Sequence, residues 1–594
     1  MLRPLALLLA FQIALPAFAQ QASDTISPEA PTGPATVEGL SPAGRTAQEA
    51  KEAGRPVEAQ DWMVVAAHPL ASEAGARVLR EGGSAADAMV AVQAVLGLVE
   101  PQSSGLGGGA FLVWHDAETG TMTTLDARET APMAATPRLF QTKAGEPLEF
   151  LDAVVGGHSV GTPGTPMLLE EAHRRWGQAN WASLFDEAIT LAEDGFAVSP
   201  RLAGLIAGEP EALARFPATA AYFLPEGQPV AEGERLKNPA YAATLRRLVA
   251  DGADAFYTGP IAEDIVETVR SAEGNPGVLS LHDLAAYRVI ERPPVCADYR
   301  GARVCGMGPP SSGALTVGMI LGMLGPYDLK ALGPWNPESW RLIGDATRLA
   351  FADRGRYIAD SDFVPVPVKG LLDPAYLAKR AELLRGDDAL PEVAAGKPAY
   401  DHAMLAPDES LELPSTSHIS IVDAEGNALA MTTTIENGFG SRLMTNGFLL
   451  NNELTDFSFK THAVGWPIAN RVEPGKRPRS SMAPTIVLRD GKPVLVIGSP
   501  GGATIIGYVA QALIAHLDWG MDVQQAVAMP HLVNAFGTFQ LEQGTSAEDL
   551  RQPLADLGYE VEPAELTSGL HAISLGDGLR GGADPRREGI ALGE

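Results

Sequence analysis

The hydroxyls of Thr416 and Thr434 are the groups whose type and spacing best suit chemistry. Thr416 opens the run Ser417-His418-Ile419-Ser420-Ile421-Val422-Asp423, which reads as a strand. Gly426-Asn427 reads as a tight turn, and residues 428–435, with Thr432-Thr433-Thr434, as the returning strand. If Asp423 faces Asn427, antiparallel counting puts Thr416 opposite Thr434. A Thr-rich hairpin on a sheet surface has the same pattern, so the pairing alone assigns no function. A threonine hydroxyl is a weak nucleophile at neutral pH and needs a base, which an N-terminal threonine has in its own α-amine. Acyl transfer also needs donors where the carbonyl oxygen becomes negative. Gly501 and Gly502, at the start of a helix-like stretch running to Leu517, offer unhindered backbone amides for that purpose, although Gly-Gly also marks ordinary strand-to-helix turns. His418, two residues beyond Thr416, shares its face and reads as a packed, hydrogen-bonding residue.

The elements that must position these groups differ on the two sides of Thr416. Before it the chain is mainly helical in pattern, with helix-like stretches at 84–99, where Ser84 is a capping residue, and at 166–176, 181–194, 239–251 and 337–354. After it come short strand patterns at 417–422, 428–435, 485–488 and 494–497. The pattern by itself supports a mixed α/β fold.

The residues around these groups resemble the γ-glutamyltranspeptidase family. The resemblance rests on Thr416-Ser417-His418, Gly426-Asn427, Thr432-x-Thr434, Phe439-Gly440, Asn451-Asn452-Glu453-Leu454-Thr455-Asp456-Phe457, Lys476-Arg477-Pro478-x-Ser480-Ser481-Met482 and Gly498-Ser499-Pro500-Gly501-Gly502. Upstream it includes Gly105-x-Gly107-Gly108-Gly109, Asp126-x-Arg128-Glu129-x-Ala131-Pro132 and Pro309-Pro310-Ser311-Ser312-Gly313, and it runs from about residue 60 to Asp584-Pro585-Arg586. It implies a four-layer αββα sandwich of the N-terminal nucleophile hydrolase type. It also implies a precursor that cuts itself between Ser415 and Thr416, leaving a large chain to residue 415 and a small chain of 416–594 as an interleaved heterodimer. Thr416 would then be the nucleophile, Thr434 its orienting partner, and Gly501 and Gly502 the oxyanion hole. The substrates implied are glutathione and other γ-glutamyl compounds, with water or an amino acid or dipeptide as acceptor. Arg128 would grip the α-carboxylate with Ser480 and Ser481. Asp456 would meet the α-ammonium, flanked by Glu436 and Glu453, where some family members carry Asn and Gln. Three carboxylates about one ammonium repel one another unless one is protonated or turned away. Residues 458–468 match no lid tyrosine, which suggests an open site.

The N-terminal residues 1–19, with Arg3, an apolar run and Ala17-Phe18-Ala19, read as a cleavable secretory signal, and the family favours the periplasm over full secretion. Residues 20–60, poor in large apolar side chains, read as a disordered lead. No later apolar run reaches the ~20 residues of a membrane span. The formal charge of −29 argues against nucleic-acid binding. Cys296 and Cys305 flank a possible hairpin and are compatible with a disulfide or with two thiols. No metal-ligand spacing appears, the loop at Gly105–Gly109 lacks the lysine of a phosphate-binding loop, and no cofactor is expected. Two other readings compete with the transpeptidase: an acylase of the same fold, similar to those acting on glutaryl-cephalosporins, and an exported binding protein that has lost catalysis.

Overall fold

Strand-forming runs rich in Val, Ile and Thr, buried on both faces, make the centre of the protein. The computed structural model describes residues 39–399, 405–408, 410 and 415–594. Fourteen strands form its two large sheets: β1 (Val57–Ala59), β2 (Met63–Ala66), β3 (Gly109–His115), β4 (Met122–Ala127), β5 (Ile290–Arg292), β6 (Val295–Tyr299), β7 (Ala302–Gly306), β8 (Ser417–Val422), β9 (Ala428–Thr434), β10 (Thr485–Arg489), β11 (Lys492–Gly498), β12 (His571–Gly576), β13 (Gly578–Ala583) and β14 (Ile590–Gly593). One sheet runs β14-β2-β8-β9-β3-β4-β5 and the other β1-β13-β12-β11-β10-β7-β6. Neighbours pair antiparallel throughout both.

The period-2 alternation of each strand decides which layer its side chains enter. Met63, Val65, Ala428, Ala430, Ile486, Val496 and Ile573 point between the sheets and form the inner core. Val64, Ile419, Ile421, Leu429 and Met431 point the other way, into a core shared with helices α2 (Pro69–Arg80) and α3 (Ala85–Val99). On the second sheet Val487, Leu495 and Ile497 face α4 (Gly313–Leu324), α5 (Pro337–Tyr357) and α6 (Ile505–Leu517). The result is the αββα sandwich of the sequence reading. Ser84 caps α3 through a capping box with Asp87, as its position before the apolar run suggests.

Strands from the two sides of the Ser415–Thr416 bond alternate. β2 lies between β14 and β8, and β9 lies against β3. The helical stretch 181–194 begins as a 3-10 turn, Trp181–Phe185, before its α-helix, and the stretch after Gly501 likewise opens as a 3-10 turn, Gly502–Thr504. Cys296 and Cys305 form a disulfide across the β6–β7 hairpin. Among the described residues no helix is long and apolar enough to cross a membrane.

The expected disordered lead is corrected over its later part. Helix α1 (Pro42–Glu52) follows an N-cap at Ser41, and β1 pairs with β13. Composition misled here because polar contacts hold the segment. Glu73 accepts from the Ser41 amide at 3.0 Å, and Lys51 donates to the carbonyls of Arg587 and Gly589 at 2.9 and 2.7 Å. The signal segment and the lead up to residue 38 lie outside the described residues. Residues 462–467 form a small hairpin with Val464 and Gly465 at positive φ in its turn.

Candidate active site

The β8–β9 register aligns Ser417 with Thr433, and continuing it by one residue brings Thr416 opposite Thr434. The Thr416 hydroxyl donates to Thr434 Oγ1 at 3.2 Å, and that oxygen also accepts the Glu436 amide at 2.8 Å. Both threonines are buried on the face between the sheets, where a nucleophile is shielded from bulk water. Thr416 has φ +122°, a conformation that a β-branched residue adopts only under strain of about 1–3 kcal/mol. The neighbouring contacts fix it there. Ser415 Oγ donates to the Gln102 carbonyl at 3.0 Å, and Arg587 Nη1 donates to the Thr416 carbonyl at 3.1 Å.

His418 shares the inter-sheet face as the strand period requires. Its ring lies 2.8 Å from Thr432 Oγ1 and 3.1 Å from Ser420 Oγ. Burial, aided by the nearby His571, keeps it neutral far below the usual histidine range. It is a packed hydrogen-bonding residue, as the sequence suggests. Gly498 runs directly beneath it, and a Cβ there would fall 2.3 Å from the His418 ring. The following turn carries Gly501 (φ +133°) and Gly502 (φ +54°) into the start of α6. The glycine loop at 105–109 is structural: a Cβ on Gly108 would lie 1.9 Å from the Thr434 carbonyl oxygen, and one on Gly107 2.0 Å from that of Leu449.

The second cluster is built around Arg128, which follows β4 and is fully buried. Its guanidinium pairs with Asp456 and Glu453, donates from Nε to the Pro478 carbonyl at 3.2 Å, and donates from Nη2 to the Arg479 carbonyl at 2.9 Å. Oxygen atoms of Glu436, Glu453 and Asp456 lie within 4.8 Å of one another. The sequence reading sets Arg128 and Asp456 at opposite ends of an amino-acid head group. The structure brings them into direct contact, so the cation within the cluster relieves the repulsion among its carboxylates. A metal ion there would have to compete with Arg128. Glu129 lies 3.9 Å from Arg128, and burial, only partly opposed by that arginine, raises its carboxyl to about 8.

Ser480 and Ser481 follow directly on the carbonyls that Arg128 grips. The Ser480 carbonyl accepts from the Ser312 amide and hydroxyl, both at 2.7 Å, and Ser481 Oγ accepts from Arg354 Nη2 at 2.7 Å. Arg354 also donates to Ser312 Oγ at 2.8 Å. Sequence reasoning passed over Arg354, although it continues the buried stripe Trp340, Ile343, Thr347, Ala350 along α5 at helical spacing. A charge at such a position needs a buried partner. Arg587 was missed as well, and nothing local in its sequence distinguishes it from Arg586.

With this geometry in place, the comparisons with known proteins are specific. The family described as gamma-glutamyltranspeptidase matches residues 71–594. The chain is 38% identical to the glutathione hydrolase proenzyme of Bacillus subtilis (strain 168), covering 90% of this chain and 92% of that protein. It is 34% identical to the acylase ACY 1 proenzyme of Pseudomonas sp. (strain V22), covering 91% and 94%. Among solved structures, the cephalosporin acylase from Bacillus halodurans superposes with a TM-score of 0.81 at 26% identity, over 91% of this chain and 97% of that one.

Proposed function

Because this chain belongs to the gamma-glutamyltranspeptidase family, we propose that it is an exported, self-processing γ-glutamyl hydrolase and transferase acting on glutathione and related γ-glutamyl amides. The observation that carries this reading is the buried contact of the Thr416 and Thr434 hydroxyls, 3.2 Å apart at the end of a paired hairpin. In processing, Thr416 Oγ1 adds to the Ser415 carbonyl carbon. The Ser415–Thr416 C–N bond breaks, the hydroxyl proton ends on the Thr416 nitrogen, and water hydrolyses the resulting ester. The freed α-amine then serves as base for the same hydroxyl. In turnover Thr416 attacks the γ-carbonyl of the donor, the amine leaves with a proton, and water or an amino acid or dipeptide takes the γ-glutamyl group. Gly501 and Gly502 are assigned to the oxyanion. Arg128, with Ser480 and Ser481, is assigned to the α-carboxylate, and Asp456, with Glu436 and Glu453, to the α-ammonium.

A second reading, an acylase of the same fold, is favoured by the similarity to the two acylases. The acidic cluster weighs against it, because a glutaryl group has no ammonium to meet those carboxylates and would leave them buried without a cation of the substrate's own. Two measurements test the proposal. Thr416→Ala is expected to yield one uncut, inactive chain by intact mass, and a cut variant would refute the assignment of Thr416. The wild type is expected to turn over γ-glutamyl-p-nitroanilide at least ~100-fold faster than glutaryl-p-nitroanilide, as sites built around a substrate's polar group discriminate strongly against its loss. Equal rates would move the assignment to an acylase.

A further inference from the structure

We propose that Arg587, braced by Lys51 of helix α1, is a positioning residue for self-cleavage, holding the Thr416 carbonyl so that the Thr416 hydroxyl faces the Ser415 carbonyl. This rests on the self-processing reading above and adds to it the parts that hold the scissile residue. Arg587 is buried beside β14, and its Nη1 donates to the Thr416 carbonyl at 3.1 Å. The guanidinium reaches that oxygen through a slot that excludes side chains. A Cβ on Gly569 would lie 2.8 Å from Arg587 Cδ and 2.6 Å from Pro500 Cγ. Arg587 therefore bonds the residue to be cut while passing Gly569, whose other neighbour is Pro500 of the segment leading into Gly501-Gly502.

The main chain of Arg587 is held in turn. Lys51 Nζ donates to its carbonyl at 2.9 Å and to that of Gly589 at 2.7 Å. Asp584, at the turn before it, is fixed by Arg586, Ser568 and the Leu570 amide. On the other side of the scissile bond, Ser415 Oγ donates to the Gln102 carbonyl at 3.0 Å. The bond is thus held on both sides, by the Gln102 carbonyl that accepts from Ser415 and by the Arg587 guanidinium that donates to Thr416, and the second hold leads back through Lys51 to helix α1. The positive φ of Thr416 is a conformation the residue does not adopt unaided, so the donor on its carbonyl helps decide whether hydroxyl and target carbon meet. A misplacement of about 1 Å at such a contact costs ~100-fold in rate.

The test is the rate of cutting of the full chain made by cell-free synthesis, sampled over time and read by denaturing intact mass. The wild type is expected to yield chains ending at Ser415 and starting at Thr416. Arg587→Met is expected to slow this ~100-fold, Arg587→Lys to recover part of the rate, and Lys51→Met to slow it ~10-fold. In the uncut Thr416→Ala background, Arg587→Met should retain cooperative thermal unfolding, which separates positioning from a general loss of fold. In the fraction of Arg587→Lys that matures, kcat should fall while KM is kept, because Arg587 acts on the carbonyl of the nucleophile Thr416 and is not among the residues assigned to the substrate's head group. If Arg587→Met fails to fold, Lys51→Met decides. A wild type that cuts while the folded variants cut within two-fold of its rate would overturn the positioning role alone. A wild type that never cuts would overturn the self-processing reading and this inference with it.

Discussion

Glu129 has a buried carboxyl beside a buried guanidinium, and its effect on stability has a definite sign. Burial raises its proton affinity from the ordinary 4.5 to about 8, with Arg128 opposing. Between these values the folded protein keeps a proton that the unfolded chain has lost, so stability falls as pH rises from 4.5 towards 8. The expected contribution is a slope of up to about 1.36 kcal/mol per pH unit from this group. Glu129→Gln should remove that slope in urea unfolding followed across pH, and an unchanged slope would show that Glu129 ionises freely. At this scale the sequence was informative where geometry is periodic. Counting across Gly426-Asn427 is enough to pair Thr416 with Thr434, because an antiparallel register has one free parameter. The direct pairing of Arg128 with Asp456 and Glu453 was not legible. It joins residues from distant segments, and motif order carries no information about which charges meet.

Among the elements, the glycine loop before β3 shows how a motif with no chemistry of its own positions one that has it. Gly107 and Gly108 lack side chains because the carbonyls of Leu449 and Thr434 occupy the space a Cβ would need. Gly108→Ala forces backbone against backbone and is expected to destabilise the protein by ~1–3 kcal/mol or more, measured by chemical denaturation, while slowing cutting at Thr416. Wild-type stability and cutting in that variant would mean that the loop yields easily. The hairpin strands were legible almost to the residue, since β-branched and alternating runs bounded by Gly-Asn leave little choice. Helix α1 was not. Its apolar residues are mostly alanines, and its anchors are one hydrogen bond from Ser41 and two from Lys51 to residues far along the chain.

For the whole molecule, the interleaving of strands sets what cutting can and cannot do. Breaking the chain before Thr416 leaves β2 between two strands of the small chain and β9 on a strand of the large one. Separation would unpair central strands of both sheets and expose the inner core, so the two chains are expected to co-elute in size exclusion without denaturant and to part only on unfolding. Dissociation under native conditions would contradict this topology. The mixed α/β class was legible from helices on both sides of a block of strands, and the four-layer arrangement from the family resemblance. The order of strands in each sheet was not, because it depends on contacts between residues hundreds of positions apart.

The φ of +122° at Thr416 makes the cut directional. That torsion is defined by the bond to Ser415, and once the amide is gone the angle no longer exists. The ~1–3 kcal/mol held there is then spent and would have to be restored before the ends could be rejoined. On this feature alone, resealing is disfavoured by roughly 5- to 160-fold. The residue that begins the reaction as the least comfortable link of the chain thus ends it as a ratchet tooth, against which the molecule does not turn back.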